Sequence, residues 1–365
     1  MNIYLGLSLL VFLTASLVVY LLIPPLRRVA FKKGITVTPR DRQIDIPPAI
    51  RKASHSYQIP LTGGVAFLAA FAVSMLVSLL VFPGLFTDKA MQIRFAGLFV
   101  ASLLIGLMGL ADDLYDISYK LRLLVAAAAI GALLAITVYG ELFLLPGGHV
   151  VRIGIPELLI LLIYCMGLSN AINLADGLDG SAAGMVAIGA LWMGFITTTD
   201  AFLATIVLMC ILASCVAFLA YNFHPASIFL GSTGTLFLGF VMALITIWPP
   251  TQQLPNYFFP YALIIFTVPL ADMTVVFSIR LLHRKNPFTA DSWHIHDRLL
   301  LTGAGRKKAT VTLWLLSFVC GLLAYLSFRG VLPYLVAAGL TALMLITFYA
   351  IIIRRANPRY TKRHP

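Results

Sequence analysis

The chain has 365 residues; 60% are hydrophobic, 11% are charged, and the mean hydropathy is +0.95. A soluble domain carries roughly 25% charged residues, which excludes a soluble enzyme or binding module and makes this a polytopic integral membrane protein. The net charge of +12 would point a soluble chain to nucleic acid. Here the basic residues flank apolar runs, so they read as topology signals and contacts to anionic lipid or phosphate.

Apolar runs of about 20 residues, the length that crosses a hydrocarbon core, predict an all-α fold of eleven membrane helices. They cover 3–23, 61–82, 95–111, 121–139, 156–174, 181–198, 201–221, 229–249, 258–280, 310–328 and 331–353. No repeat, low-complexity tract or linker divides residues 1–365, so one domain is expected. The first run has the length of a span and no small-residue cleavage site after it, and is expected to be retained rather than removed as a signal peptide. Cys165, Cys210, Cys215 and Cys320 fall inside apolar runs without zinc or disulfide spacing, and read as buried small hydrophobes. With loop 24–60 in the cytoplasm, 22 of the 26 Lys and Arg lie on the cytoplasmic side. Positive-inside counting then puts the N-terminus outside and the C-terminus in the cytoplasm. Of the 14 carboxylates, only Asp88, Glu141, Glu157 and Asp200 fall outside. Solubilising charge would be shared by both faces, so this bias predicts a site on the cytoplasmic face.

The polar motifs follow the spans in order. The first loop ends in RKASHSYQIPLTGG, which supplies Arg51, Lys52, His55, Gly63 and Gly64. The third span ends in GLADDLYDISYKLR. On a helix Asp112 and Asp113 diverge, while Asp113 and Asp116 share a face with Lys120 one turn on. Carboxylates this close repel unless a cation neutralises them, and hard oxygen donors suit Mg2+ or Mn2+. A solvated loop balanced by Lys120 and Arg122 is the plainer alternative. The fifth span runs into NAINLADGLDG, where Asn170, Asn173, Asp176 and Asp179 recur at threes. They form one stripe if the helix continues; the glycines instead predict that it ends and lets backbone approach a ligand. Polar groups at the edge of a span are costly and usually mark function, with an interhelical asparagine pair as the alternative. FLGSTGTLFLG opens the eighth span with glycines. Before the tenth span, RKNPFTADSWHIHDRLL carries Asp291, His294, His296, Asp297 and Arg298. His-x-His could ligate zinc, but no cysteine or third histidine is near. Imidazoles beside Arg284, Lys285 and Arg298 suit phosphate better, and a surface loop with incidental histidines stays open.

Taken in order, RK…H…IP…GG, DDLYD…K, NAINLADGLDG, LG…GT…LG, PLAD and PF…D…HIH resemble the polyprenyl-phosphate N-acetylhexosamine-1-phosphate transferases. These bacterial membrane enzymes begin lipid-linked cell-envelope glycans, and the resemblance covers nearly the whole chain. It implies transfer of a HexNAc-1-phosphate, foremost GlcNAc-1-phosphate, from a UDP-sugar to undecaprenyl phosphate with release of UMP. It further implies the bacterial inner membrane as location and Mg2+ or Mn2+ as cofactor. The branch using UDP-N-acetylglucosamine or a related UDP-sugar is closer than the muramyl-pentapeptide branch. Carried residue by residue, the resemblance gives Asp112, Asp113 and Asp116 catalytic roles at the lipid-phosphate end. It gives the metal to Asp113, Asp176 and Asp179, and Asp297, a departure from the family pattern, is added as a candidate ligand. Substrate binding falls to Lys52, His55, Lys120, Asn170, Asn173, Asp179, His294, His296 and Arg298. Such chemistry is mostly positioning and charge stabilisation, and a phosphate monoester, already largely dianionic, needs little from a base. Family members are often dimers, so a homodimer joins membrane lipid among the expected partners, and nucleic acid does not.

Two motifs depart from the family pattern. The family reads Gly-Asp-x-Gly-Ser before the eighth span, with the aspartate a metal ligand; this chain reads Gly231-Ser232-Thr233-Gly234-Thr235. The family has a basic residue after the loop aspartate and ends His-x-His-His; this chain has Asp291-Ser292-Trp293-His294-Ile295-His296-Asp297. Three readings stay open. Asp297 replaces the missing ligand, Ser232 leaves a weaker working site, or the chain binds UDP-sugar or lipid phosphate without turnover. Beyond the family, an intramembrane prenyltransferase would carry two similar Asp-rich motifs, whereas here the second cluster is preceded by asparagines and followed by His-x-His. A transporter would place ionisable groups near mid-bilayer, often in internal repeats, and the sequence has no repeat.

Overall fold

The computed structural model describes residues 2–37, 58–86, 88–197, 202–248, 258–287 and 293–355. In chain order its α-helices are α1 Asn2–Lys33, α2 Gly63–Val81, α3 Lys89–Tyr115, α4 Tyr119–Thr137, α5 Ile155–Leu174, α6 Ser181–Ile196 and α7 Phe202–Asn222. There follow α8 Gly231–Ile247, α9 Phe258–Ile265, α10 Thr267–Leu282, α11 Ile295–Leu301, α12 Arg306–Phe328 and α13 Tyr334–Arg355. Two antiparallel ribbons interrupt them. β1 (Thr36–Val37) pairs with β2 (Ile59–Pro60), and β3 (Leu142–Leu144) pairs with β4 (Val150–Arg152).

The eleven expected spans come down to eight or nine among the described residues. Eight helices are long and apolar enough to cross a membrane, and α9 with α10 makes a ninth only if a pair bent by 67° counts as one span. Each predicted run does fall on a helix, but α6 and α8 have only 16 and 17 residues. The reason lies in burial. Every residue of α8 from Thr233 to Ile247 is buried, and a helix surrounded by protein is apolar on all sides just as one surrounded by lipid is. Hydropathy reads the two alike. The four cysteines are free and buried, as expected of small hydrophobes.

Helix α8 is the hub, packed against α2, α3 and α5. Glycines mark the points where backbones meet. Gly64 lies on the backbone of Gly234, Gly109 on the carbonyl of Ser232, and a Cβ at Gly239 would stand 2.6 Å from Ser169 Cα. Small residues permit such approach between membrane helices, and short polar links add to it. Ser169 Oγ donates to the Leu236 carbonyl at 2.7 Å, and the Tyr164 and Thr246 hydroxyls lie 3.0 Å apart.

Two proline effects shape the ends. α1 runs past Pro24 and Pro25 to Lys33, ten residues beyond the predicted run. Pro24 has no N–H for the Tyr20 carbonyl; the Tyr221 hydroxyl donates to that carbonyl instead, at 3.2 Å. Between α9 and α10 the break falls at Phe266, where the missing N–H of Pro269 leaves the Ile265 carbonyl without its helical donor. The bundle has two distinct ends. Near the start of α3, Arg94 pairs with Glu141 at 2.6 Å beside the β3–β4 ribbon. Asp113 closes the same helix about 28 Å further along, at 1.5 Å per residue.

Candidate active site

The acidic motifs gather at this second end. In the last turn of α3, Asp112 Oδ2 receives Arg122 Nη1 from α4 at 2.7 Å. Asp113 turns to α8: the Ser232 N–H donates to Oδ1 at 2.8 Å, and the Thr233 N–H and hydroxyl donate to Oδ2 at 2.9 and 2.7 Å. The expected common face of Asp113 and Asp116 does not form. α3 ends at Tyr115, and Asp116 is an exposed cap in the left-handed region with φ +50°. Lys120, at the start of α4, is exposed.

In NAINLADGLDG the helix ends, as the glycines predict, at Leu174. Asn173 Nδ2 donates to Thr235 Oγ1 at 2.7 Å, tying the end of α5 to the first turn of α8. Asn170 instead bonds back to the Met166 carbonyl of its own helix. After the turn, Asp179 is buried with 1% exposure. His224 Nδ1 lies 2.6 Å from its Oδ2, the Ala226 N–H donates to the same oxygen, and Arg306 reaches Oδ1 at 3.4 Å. Thr310 and Trp314 of α12 donate to the carbonyls of Asp179 and Gly180. The turn is thereby held between α7 and α12.

The His-x-His segment completes this end. Asp272 of α10 accepts from His294 Nδ1 at 2.8 Å, the Ile295 N–H at 2.7 Å and the Tyr349 hydroxyl at 3.1 Å. His294 and His296 stack in parallel, 5.5 Å apart. The His296 ring lies against Gly177, where no side chain would fit, so the third motif covers the second. Arg298 stacks over Trp293 at 4.9 Å. Burial alone would lower the pKa of His294, but the hydrogen bond and charge of Asp272, with the charge of Asp297, hold it above the ordinary histidine range. Burial dominates at His296, whose pKa falls despite Asp297.

The expected ligands are not gathered into one group as they are placed. Among the described residues no three His, Cys, Asp or Glu side chains converge into a metal-holding group. Asp113 and Asp179 spend both carboxylate oxygens on protein donors. Asp297 is buried, 3.6 Å from His296 Nε2, and Asp176 is half-buried in the turn. Lys52, His55, Asp291 and Ser292 lie outside the described residues. Arg122, expected only as a balancing charge of the loop, pairs with Asp112, and His224, Asp272, Arg306 and Tyr349 join the site without having been assigned roles from the sequence. His224 stood in NFHP at the end of a span and Asp272 in PLAD, each a faint signal, while nothing around Tyr349 distinguishes it.

Comparison with known proteins gives a consistent picture. The family described as glycosyl transferase family 4 matches residues 95–249. The chain is 28% identical over 310 residues to the Bacillus subtilis protein named probable undecaprenyl-phosphate N-acetylglucosaminyl 1-phosphate transferase, covering 84% of this chain and 81% of that one. It is 26% identical over 330 residues to decaprenyl-phosphate N-acetylglucosaminephosphotransferase of Mycobacterium tuberculosis, covering 84% and 79%. A phospho-N-acetylmuramoyl-pentapeptide-transferase of Streptococcus thermophilus is 30% identical over 200 residues, or 52% of this chain and 58% of that one.

Proposed function

From the match to glycosyl transferase family 4 over residues 95–249 and the similarity to two polyprenyl-phosphate sugar-1-phosphate transferases, we propose that the chain belongs with them and transfers GlcNAc-1-phosphate from UDP-N-acetylglucosamine to undecaprenyl phosphate. A phosphate oxygen of the lipid attacks the sugar-bearing phosphorus. The new P–O bond forms as the bond from that phosphorus to UMP breaks, leaving a lipid diphosphosugar and free UMP. We place the reaction at the cytoplasmic face of a bacterial inner membrane, as the first step of a cell-envelope glycan.

What carries the reading is the meeting of three motifs, distant in sequence, at one end of the bundle. Asp113 holds the first turn of α8, Asn173 holds Thr235 of that turn, and His296 covers Gly177. Two substrates that each bear phosphate must approach there, and bare carboxylates would repel them. Asp112, Asp113, Asp179 and Asp272 are each met by protein donors. Lys120, Arg298 and the cationic form of His294 then supply positive charge to the phosphates. A requirement for Mg2+ or Mn2+ belongs to the proposal as a dependence to be measured. A second reading, binding of UDP-sugar without turnover, draws support from the engagement of Asp113 and Asp179 by the protein itself.

The test is transfer by the purified chain in detergent, with undecaprenyl phosphate and a panel of UDP-sugars, each with Mg2+, Mn2+ or EDTA. Lipid product from UDP-N-acetylglucosamine that EDTA abolishes is expected. Donor binding with no product under any cation would favour the second reading.

A further inference from the structure

Helix α8 begins without a cap of its own. Leu230, at its N-cap position, has no side-chain oxygen, and Gly231 holds φ +68°. The first N–H groups of any helix lack partners within it and need acceptors from elsewhere. Here the acceptor comes from α3: both oxygens of Asp113 are taken by Ser232 and Thr233. The fit around it is close. Gly231 lies against Asp113 Oδ2 with no room for a Cβ, and Gly109, one turn earlier on α3, lies on the Ser232 carbonyl. From that turn the connection runs on, since Thr235 Oγ1 donates to the Gly231 carbonyl and receives Asn173. The neighbouring Asp112 is meanwhile turned away to Arg122.

We propose that Asp113 is a positioning residue, the N-cap of α8 supplied from another helix, whose single negative charge fixes the first turn of α8 and the Thr235–Asn173 contact. A carboxylate at a helix N-terminus is favoured by the helix dipole and by charge-assisted bonds to the open N–H groups. One charge serves this purpose. Ser232, whose N–H meets Asp113, is neutral, and a carboxylate at that position would add a second negative charge near the first. The inference deepens the transferase reading by naming what holds the site in place, and its first test needs no substrate.

The full chain in detergent is melted in EDTA and in Mg2+, as native protein, Asp113→Asn, Ser232→Asp and the double exchange Asp113→Asn/Ser232→Asp. In EDTA, Asp113→Asn is expected to melt at least about 2 °C below the native chain. Ser232→Asp is expected to melt lower as well. The double exchange, which moves the one charge by a few ångströms, should regain most of the loss. If Asp113→Asn melts like the native chain in EDTA and lacks only a Mg2+-induced rise, Asp113 is a metal ligand and the proposal fails. Should Asp113→Asn not fold, Thr233→Val removes one of the three bonds and should still lower the melting point in EDTA; no change would overturn the assignment. UMP release on the same proteins adds a readout beyond stability, for turnover lost in Asp113→Asn should return in the double exchange. A double exchange that melts like the native chain but is inactive would put Asp113 in the chemistry instead. The melting results stand even if the native chain releases no UMP.

Discussion

Asp272 shows how much one buried carboxylate can organise. Its 2% exposure would be costly for a charge left alone, yet it accepts from His294, Ile295 and Tyr349, residues of two further segments of the chain. Tyr349→Phe removes only the longest of these bonds, so a loss of about 1–2 kcal/mol in stability is expected from chemical or thermal unfolding. Turnover should fall further than donor affinity, because His294 is then held less firmly. The two histidines of this segment titrate with opposite signs. His294 has a folded pKa raised above 6.5, so its contribution is present below 6.5 and disappears as pH rises through the folded value. His296 has a lowered pKa, so its contribution is present above 6.5 and disappears as pH falls through its folded value. His294→Gln should therefore flatten the alkaline side of a melting-point profile, and His296→Gln the acid side. The reverse assignment would show that the Asp272 bond does not govern His294. PLAD made Asp272 visible in the sequence without a role. Tyr349 lies 77 residues away in an apolar span, and only folding brings them together.

At the scale of elements, the glycines of the hub carry a sharper prediction than its large side chains. Gly239→Ala would push a methyl onto the backbone at Leu168 and Ser169. Overpacking of this kind costs about 1–3 kcal/mol, to be read as a lowered melting point. Gly131→Ala, on α4 with open space around it, should be neutral or stabilising by up to about 1 kcal/mol. Equal effects at the two positions would mean that α8 is not packed as tightly as described. Element boundaries were legible where turn chemistry is local, as at Gly177 and Gly180. Membrane length was not legible for α6 and α8, whose apolar surface faces protein. Nor was the continuation of α1 past Pro24, which depends on Tyr221 from another helix.

For the whole molecule, the two bundle ends differ in their charged groups, Arg94 with Glu141 at one and the acidic motifs at the other. The motifs and their order were readable in the chain. Arg122, ten residues from Asp112, was visible as a balancing charge; the capture of Asp179 by His224 and Arg306 was not, because those partners lie 45 and 127 residues away in sequence. Orientation follows as a prediction. Native cysteines are buried, so a single introduced thiol reports cleanly. Lys285→Cys should react with a membrane-impermeant maleimide only from the cytoplasmic side, and Val150→Cys only from the other. Labelling in the opposite sense would move the proposed site to the outer face. The most direct measurement concerns the bond that breaks. With UDP-N-acetylglucosamine labelled in the phosphate next to the sugar, the account predicts one UMP released per lipid product and the label retained in the lipid. Release of UDP, with the label in it, would mean transfer of the bare sugar and would contradict the account.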